Sequence, residues 1–232
     1  MEKILCPKFQ FEVRYTHILN FSLIAREILS PYLKLTTGFQ IFGQNSLEET
    51  IRINFEEDCF HIDVRWDRIL LVGERDIERF DDENSQIKVF FEIIDKLQTT
   101  NSFGNFTGFF LLIYFVKIQD KTQNKILDEF ISKYCNVEVR KLLNDPNDIG
   151  ITLEKSNHAG KQEAITVGPF TNKEIEIHSL MPFKSKELLD IRQQNGLMLQ
   201  LKIVENITKP SFKTFQEVIK TTATYSKLLQ TL

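Results

Sequence analysis

Between Phe60 and Trp66 a histidine, an aspartate and an arginine recur at every second position, as His61, Asp63 and Arg65. Alternate residues of a strand project from one face, so these three share a surface if the stretch is extended. The preceding run, Ile51 to Phe55, carries Arg52 and Asn54 at its polar parity. With Glu56-Glu57-Asp58-Cys59 as the connecting turn, Arg52 falls opposite Asp63 and Asn54 opposite His61. An imidazole beside a carboxylate is the equipment of a general base or a metal site, and Arg52 with Arg65 suits an anion. A plainer assignment competes and is favoured: this is the solvated face of an antiparallel strand, where a cross-strand Arg–Asp pair contributes under about 1 kcal/mol.

Other chemical signatures are missing. The nine glycines are scattered singly, with no phosphate-cradling loop or dinucleotide fingerprint. No Gly-x-Ser-x-Gly occurs, and Cys6, Cys59 and Cys135 lack zinc spacing or a nucleophile context. The acidic segment Glu74 to Glu83 has no glycine where a calcium loop turns, and acids there suit the start of the following helix. His17, His158 and His178 stand alone, and Trp66 falls on the apolar parity. No cofactor or metal is expected.

Composition narrows the class of protein. The chain has 232 residues, 42% hydrophobic and 26% charged, ordinary for a soluble globular protein. Its 20 phenylalanines imply a large aromatic core. A formal charge of −3, with lysine and arginine dispersed, gives no general attraction for nucleic acid. Three distant cysteines read as reduced thiols, and the N-terminus does not read as a signal peptide, so a cytoplasmic protein with no membrane partner is expected.

The elements that position these residues centre on Gly108 to Val116, which is apolar at both parities. Such a run is covered on both faces, is too short to cross a bilayer, and predicts a central strand over 107–118. Phe9 to Tyr15 alternates as a half-buried strand, with Thr16 as N-cap of a helix bearing Ile18, Phe21, Ile24, Ala25 and Ile28. A four-stranded meander follows from Phe39 to Gly73, then an amphipathic helix with Ile87, Phe90, Phe91, Ile94 and Leu97. After the central strand, Asp120-Lys121-Thr122-Gln123 resembles a capping box for a helix with Ile126, Leu127, Phe130 and Ile131. Short strands are expected at Val137–Val139, Gly150–Glu154, Ala164–Val167 and Ile175–His178, then a helix from Ser185 to Gln194 and a strand from Leu197. A long helix with a stripe from Phe212 to Leu232 closes the chain and is expected to pack home.

Matching elements recur at an offset of roughly 100 residues. The expected fold is therefore α+β, with two similar lobes, 1–104 and 105–232, each a mainly antiparallel meander packed by amphipathic helices around one shared core. This order of elements, with segments such as Phe11-Glu12-Val13-Arg14-Tyr15 and the terminal helix from Phe212, resembles a family of sporadically distributed bacterial proteins of unknown function. The resemblance carries no catalytic residues. The function expected is a non-catalytic binding or interaction protein, with a protein partner or self-association. The alternative is an enzyme acting on an anionic substrate through Arg52, His61, Asp63 and Arg65.

Overall fold

In a computed structural model of the chain, residues 4–74, 77–80, 86–142, 146, 148–157, 160–170, 195–207 and 209–232 are described. The expected strand at 175–178, the helix at 185–194, the acids at 81–83 and His158 lie outside them.

The fold is α+β. In chain order its elements are β1 (Ile4–Tyr15), α1 (Phe21–Leu29), β2 (Gly38–Phe42), β3 (Thr50–Phe55), β4 (Phe60–Arg65), β5 (Arg68–Gly73), α2 (Lys88–Gln98), β6 (Phe106–Gln119), α3 (Gln123–Tyr134), α4 (Val137–Leu142), β7 (Ile151–Ser156), β8 (Gln162–Phe170), β9 (Asn195–Glu205) and α5 (Phe212–Thr231). Among the described residues nine strands form one antiparallel sheet in the order β2-β3-β4-β5-β1-β6-β9-β8-β7. The phenylalanine-rich run is β6, in the centre between β1 and β9, and it is buried at both parities over most of its length.

Both halves of the order read outward and return. After β1 and α1 the chain crosses to the edge at β2 and meanders back to β5 beside β1. After β6 and α3 it crosses to the opposite edge at β7 and returns to β9 beside β6.

One sheet face holds the main core. Phe9, Phe11 and Val13 of β1, Ile62 of β4, Leu71 of β5, Leu111 of β6 and Leu201 of β9 project there and pack with the apolar sides of the helices. Phe11 is its hub, touching Phe90 of α2 at 6.0 Å, Phe109 of β6 at 5.5 Å and Phe215 of α5 at 5.1 Å between ring centroids. Gly73 sits between Phe9 and Phe60 in the register, and a Cβ there would lie 2.3 Å from the Phe9 ring, so only glycine leaves the rings their room. The terminal helix packs on β9, β6 and β1, with Ser211 capping it by accepting the Thr214 N–H. Packing home is thus the observed outcome.

Three local expectations are corrected. Val137–Val139 is not a strand but the start of α4, because the Asn136 side chain accepts the Glu138 N–H and outweighs the β preference of two valines. Thr16 does not cap α1; its hydroxyl accepts the Asn105 N–H at 2.9 Å and ties the end of β1 to the start of β6. Helix α1 instead follows Asn20 in the left-handed conformation, φ 58°. Thr122 does precede α3, but makes no side-chain capping bond.

Candidate functional site

The β3–β4 register is the one expected: Arg52 opposes Asp63, Asn54 opposes His61, and the turn spans Glu56 to Cys59. The environment is not the one expected. His61 and Asp63 are each 2% exposed, so these two side chains are not solvated, although arginines around them reach solvent. Arg52 grips Asp63 as a fork, Nε to Oδ1 at 2.7 Å and Nη2 to Oδ2 at 2.8 Å, while its guanidinium lies 5.2 Å from the Phe42 ring centre. His61 Nε2 lies 3.7 Å from Asp63 Oδ1. Burial pushes the His61 imidazole down to about 4; Asp63 opposes that shift, and Arg52 and Lys8 add to it. At neutral pH the ring is uncharged.

Arg65 lies on the same face but one row further along, opposite Thr50. Its Nε is buried without a hydrogen-bond partner among the described residues. The four expected site residues therefore divide. Arg52, Asp63 and His61 form one cluster, and Arg65 stands beside it.

The sheet order adds neighbours that no local spacing reveals. Because β1 pairs with β5, Glu12 lies opposite Leu70, itself opposite Asp63. Glu12 is buried and accepts bonds from Arg14, Gln10 and Arg68, and Arg68 also forks onto Asp67. Arg14 and Lys202 lie over the Phe110 ring, so long charged side chains cover the aromatic surface of this face. The sequence signal for Glu12 and Arg14 was their polar parity in β1; the partner strand was missing from it.

Chemically this face holds charges in place. Both oxygens of Asp63 accept from Arg52 and the carboxylate is almost wholly buried, while the guanidinium keeps part of its surface in solvent. At neutral pH the His61 ring is no imidazolium acid, and its low value makes it a weak base. Among the described residues, no group of three or more His, Cys, Asp or Glu is arranged to hold a metal ion.

A second locus has different properties. At the N-terminal end of α1 a concavity of about 520 Å³ is lined by His17, Leu19, Leu23, Leu47, Glu49 and Trp66. His17 packs on Trp66 with ring centroids 3.7 Å apart and the planes tilted by 35°. Glu49 is buried beneath; burial raises its carboxyl, but the Asn45 N–H, the Ser22 hydroxyl and Arg26 outweigh that and hold it below its ordinary value. Leu19, Leu23 and Leu47 are 75%, 72% and 76% exposed. Leu33, Leu35, Phe39 and Phe42 are also exposed, so seven large apolar side chains between residues 19 and 47 face out from α1, β2 and the loops around them.

These two loci belong to an α+β protein built on one wide antiparallel sheet. No protein-family model matches the chain, and no curated protein matches it. Among the described residues no helix is long and apolar enough to cross a membrane.

Proposed function

We propose that this chain is a non-catalytic binding or interaction protein that receives a strand of another polypeptide along the outer edge of β2. The observation that carries this reading is the concentration of exposed apolar side chains at that end of the sheet, since soluble proteins leave large apolar patches uncovered mainly at interaction surfaces. Among the described residues β2 is an edge strand, and its backbone groups on that side are a template for an added strand. The fork between Arg52 and Asp63, with Asp63 and His61 each almost wholly buried, supports a structural use of that face over the alternative of an enzyme acting there.

The two-lobe plan is part of the same proposal. Half-units 1–104 and 105–232 each contribute a central strand, a helix, a meander returning from an edge and a closing helix, as expected of an internal duplication. A cytoplasmic location is proposed with it, on the three cysteines far apart in the sequence and present as thiols in the fold.

The test is retention of partner proteins by immobilised wild type against Ile41→Lys, which places a charge in the edge strand. Loss of a specifically retained protein supports the reading; identical retention profiles, or turnover of phosphate esters that depends on Arg52 and His61, overturns it.

A further inference from the structure

Among the described residues the two edges of the sheet differ in a way that bears on what covers them. Edge strands are normally kept from pairing by charges, prolines or bulges. The edge strand β7, Ile151–Ser156, follows that rule and carries Glu154 and Lys155. The edge strand β2, Gly38-Phe39-Gln40-Ile41-Phe42, carries no charge and no proline, and no charged residue occurs anywhere from Leu35 to Leu47. Its pairing with β3 is regular over all five residues, with no bulge to turn the edge away.

We infer that the strand received by β2 is β2 of a second copy of this chain, in an antiparallel two-fold pair centred on Gln40. This rests on the strand-addition reading above and names its partner. Two arguments select the second copy. Cross-strand positions in a self-pair carry the same side chains from both subunits, so any charge near the centre meets its own kind; an uncharged segment is the composition that avoids this. The side chains also match: a strand overlaps its own antiparallel copy fully about its central residue, and in β2 that overlap sets Gln40 opposite Gln40 and each exposed Phe39 against the partner's Ile41, apolar against apolar.

That match continues an existing row. Phe39 pairs with Ile53, Ile53 with Ile62, Ile62 with Leu71 and Leu71 with Phe11, all on the core face. Phe39 is 40% exposed at the open end of this row, and a second Ile41 beside it extends the row across the two-fold. At the centre the two Gln40 side chains, exposed in one chain, can exchange amide hydrogen bonds. The outcome is one sheet running through both subunits.

The experiment is a charge exchange at the two-fold, read by sedimentation velocity over a range of concentrations. Wild type is expected as a dimer. Gln40→Lys and Gln40→Glu alone each set like charges face to face and weaken the dimer at least about tenfold, and mixing them restores a heterodimer. Gln40 is exposed, so both variants are expected to keep the wild-type circular dichroism. If a variant lost that spectrum, hydrogen exchange of the β2 amides on wild type at low and high concentration would decide the matter, protection rising on association. A monomeric wild type overturns the second copy; if it still retains another protein that Ile41→Lys loses, strand addition at β2 survives without it. A dimer indifferent to both single variants and to Ile41→Lys overturns the pairing and the β2 reading together.

Discussion

Arg52 and Asp63 sit directly opposite each other on β3 and β4 and are joined by two parallel hydrogen bonds of 2.7 and 2.8 Å. The aspartate side chain is almost wholly buried while the arginine keeps part of its surface in solvent. Removing one member of such a pair leaves a carboxylate desolvated and uncompensated. Arg52→Ala is expected to lose roughly 3 kcal/mol in urea denaturation, whereas Arg52→Met combined with Asp63→Leu is expected to cost under about 1 kcal/mol. Equal losses in the single and the double variant would contradict this.

His61 predicts the acid side of the stability profile. Its folded value of about 4 lies below the ordinary 6.5, so between those limits the unfolded chain binds a proton that the folded chain refuses. Folding is undisturbed by this group above pH 6.5 and weakens as pH falls toward 4. From pH 7.5 to 5 the loss is on the order of 2 kcal/mol, and the midpoint of urea unfolding should record it. His61→Gln should flatten that part of the profile; an unchanged slope would assign the acid sensitivity elsewhere.

Glu49 predicts the stability of the apolar end. It holds the β2–β3 loop at Asn45 and the first turn of α1 at Ser22. Its folded carboxyl lies below the ordinary 4.5, so its contribution is present above that value and lost as pH falls through the folded one. Glu49→Ala should cost about 1–2 kcal/mol and speed amide exchange at the start of α1, while Ser22→Ala should cost less. Thermal melts with exchange mass spectrometry compare the two.

Cys59 closes the β3–β4 turn at φ 53°, a conformation that strains any residue with a Cβ and is free for glycine. Cys59→Gly is expected to raise stability by about 0.5–1 kcal/mol, and Cys59→Val to lower it. The measurement is the melting temperature under reducing conditions.

Phe215 joins the terminal helix to the hub at Phe11 and is fully buried. Phe215→Ala should cost about 3–5 kcal/mol by the cavity it leaves. Truncation before residue 208 uncovers the core face of β9 and β6 and should give an insoluble product; a soluble folded truncation would show that the helix is dispensable to the core.

Local order was legible where a pattern repeats over several residues. The apolar run of β6, the alternation of β3 and β4, the four-residue turn between them and the stripes of α2, α3 and α5 all follow from which side chains each period brings to one face. The pairing of Arg52 with Asp63 was legible for the same reason, since a short turn sets the register of a hairpin. Val137–Val139 was misread because two valines say strand while a single Asn136 bond starts a helix. The exposed leucines follow no pattern of their own: Leu19 and Leu23 lie off the apolar stripe from Ile18 to Ile28, and a stripe tells only what is buried.

The sequence by itself determined the strongly patterned elements, the parity of their side chains and the β3–β4 register, because these depend on neighbours within one turn of chain. Only the tertiary structure decided what lies beyond that reach. Long-range pairing put β1 beside β5 and brought Glu12, Arg14 and Arg68 onto the face of His61, where Glu12, His61 and Asp63 are buried rather than wet. It also left β2 at the margin. Strand order across a sheet is chosen by the fit of whole faces against the helices that cover them, and that fit is a property of residues a hundred positions apart.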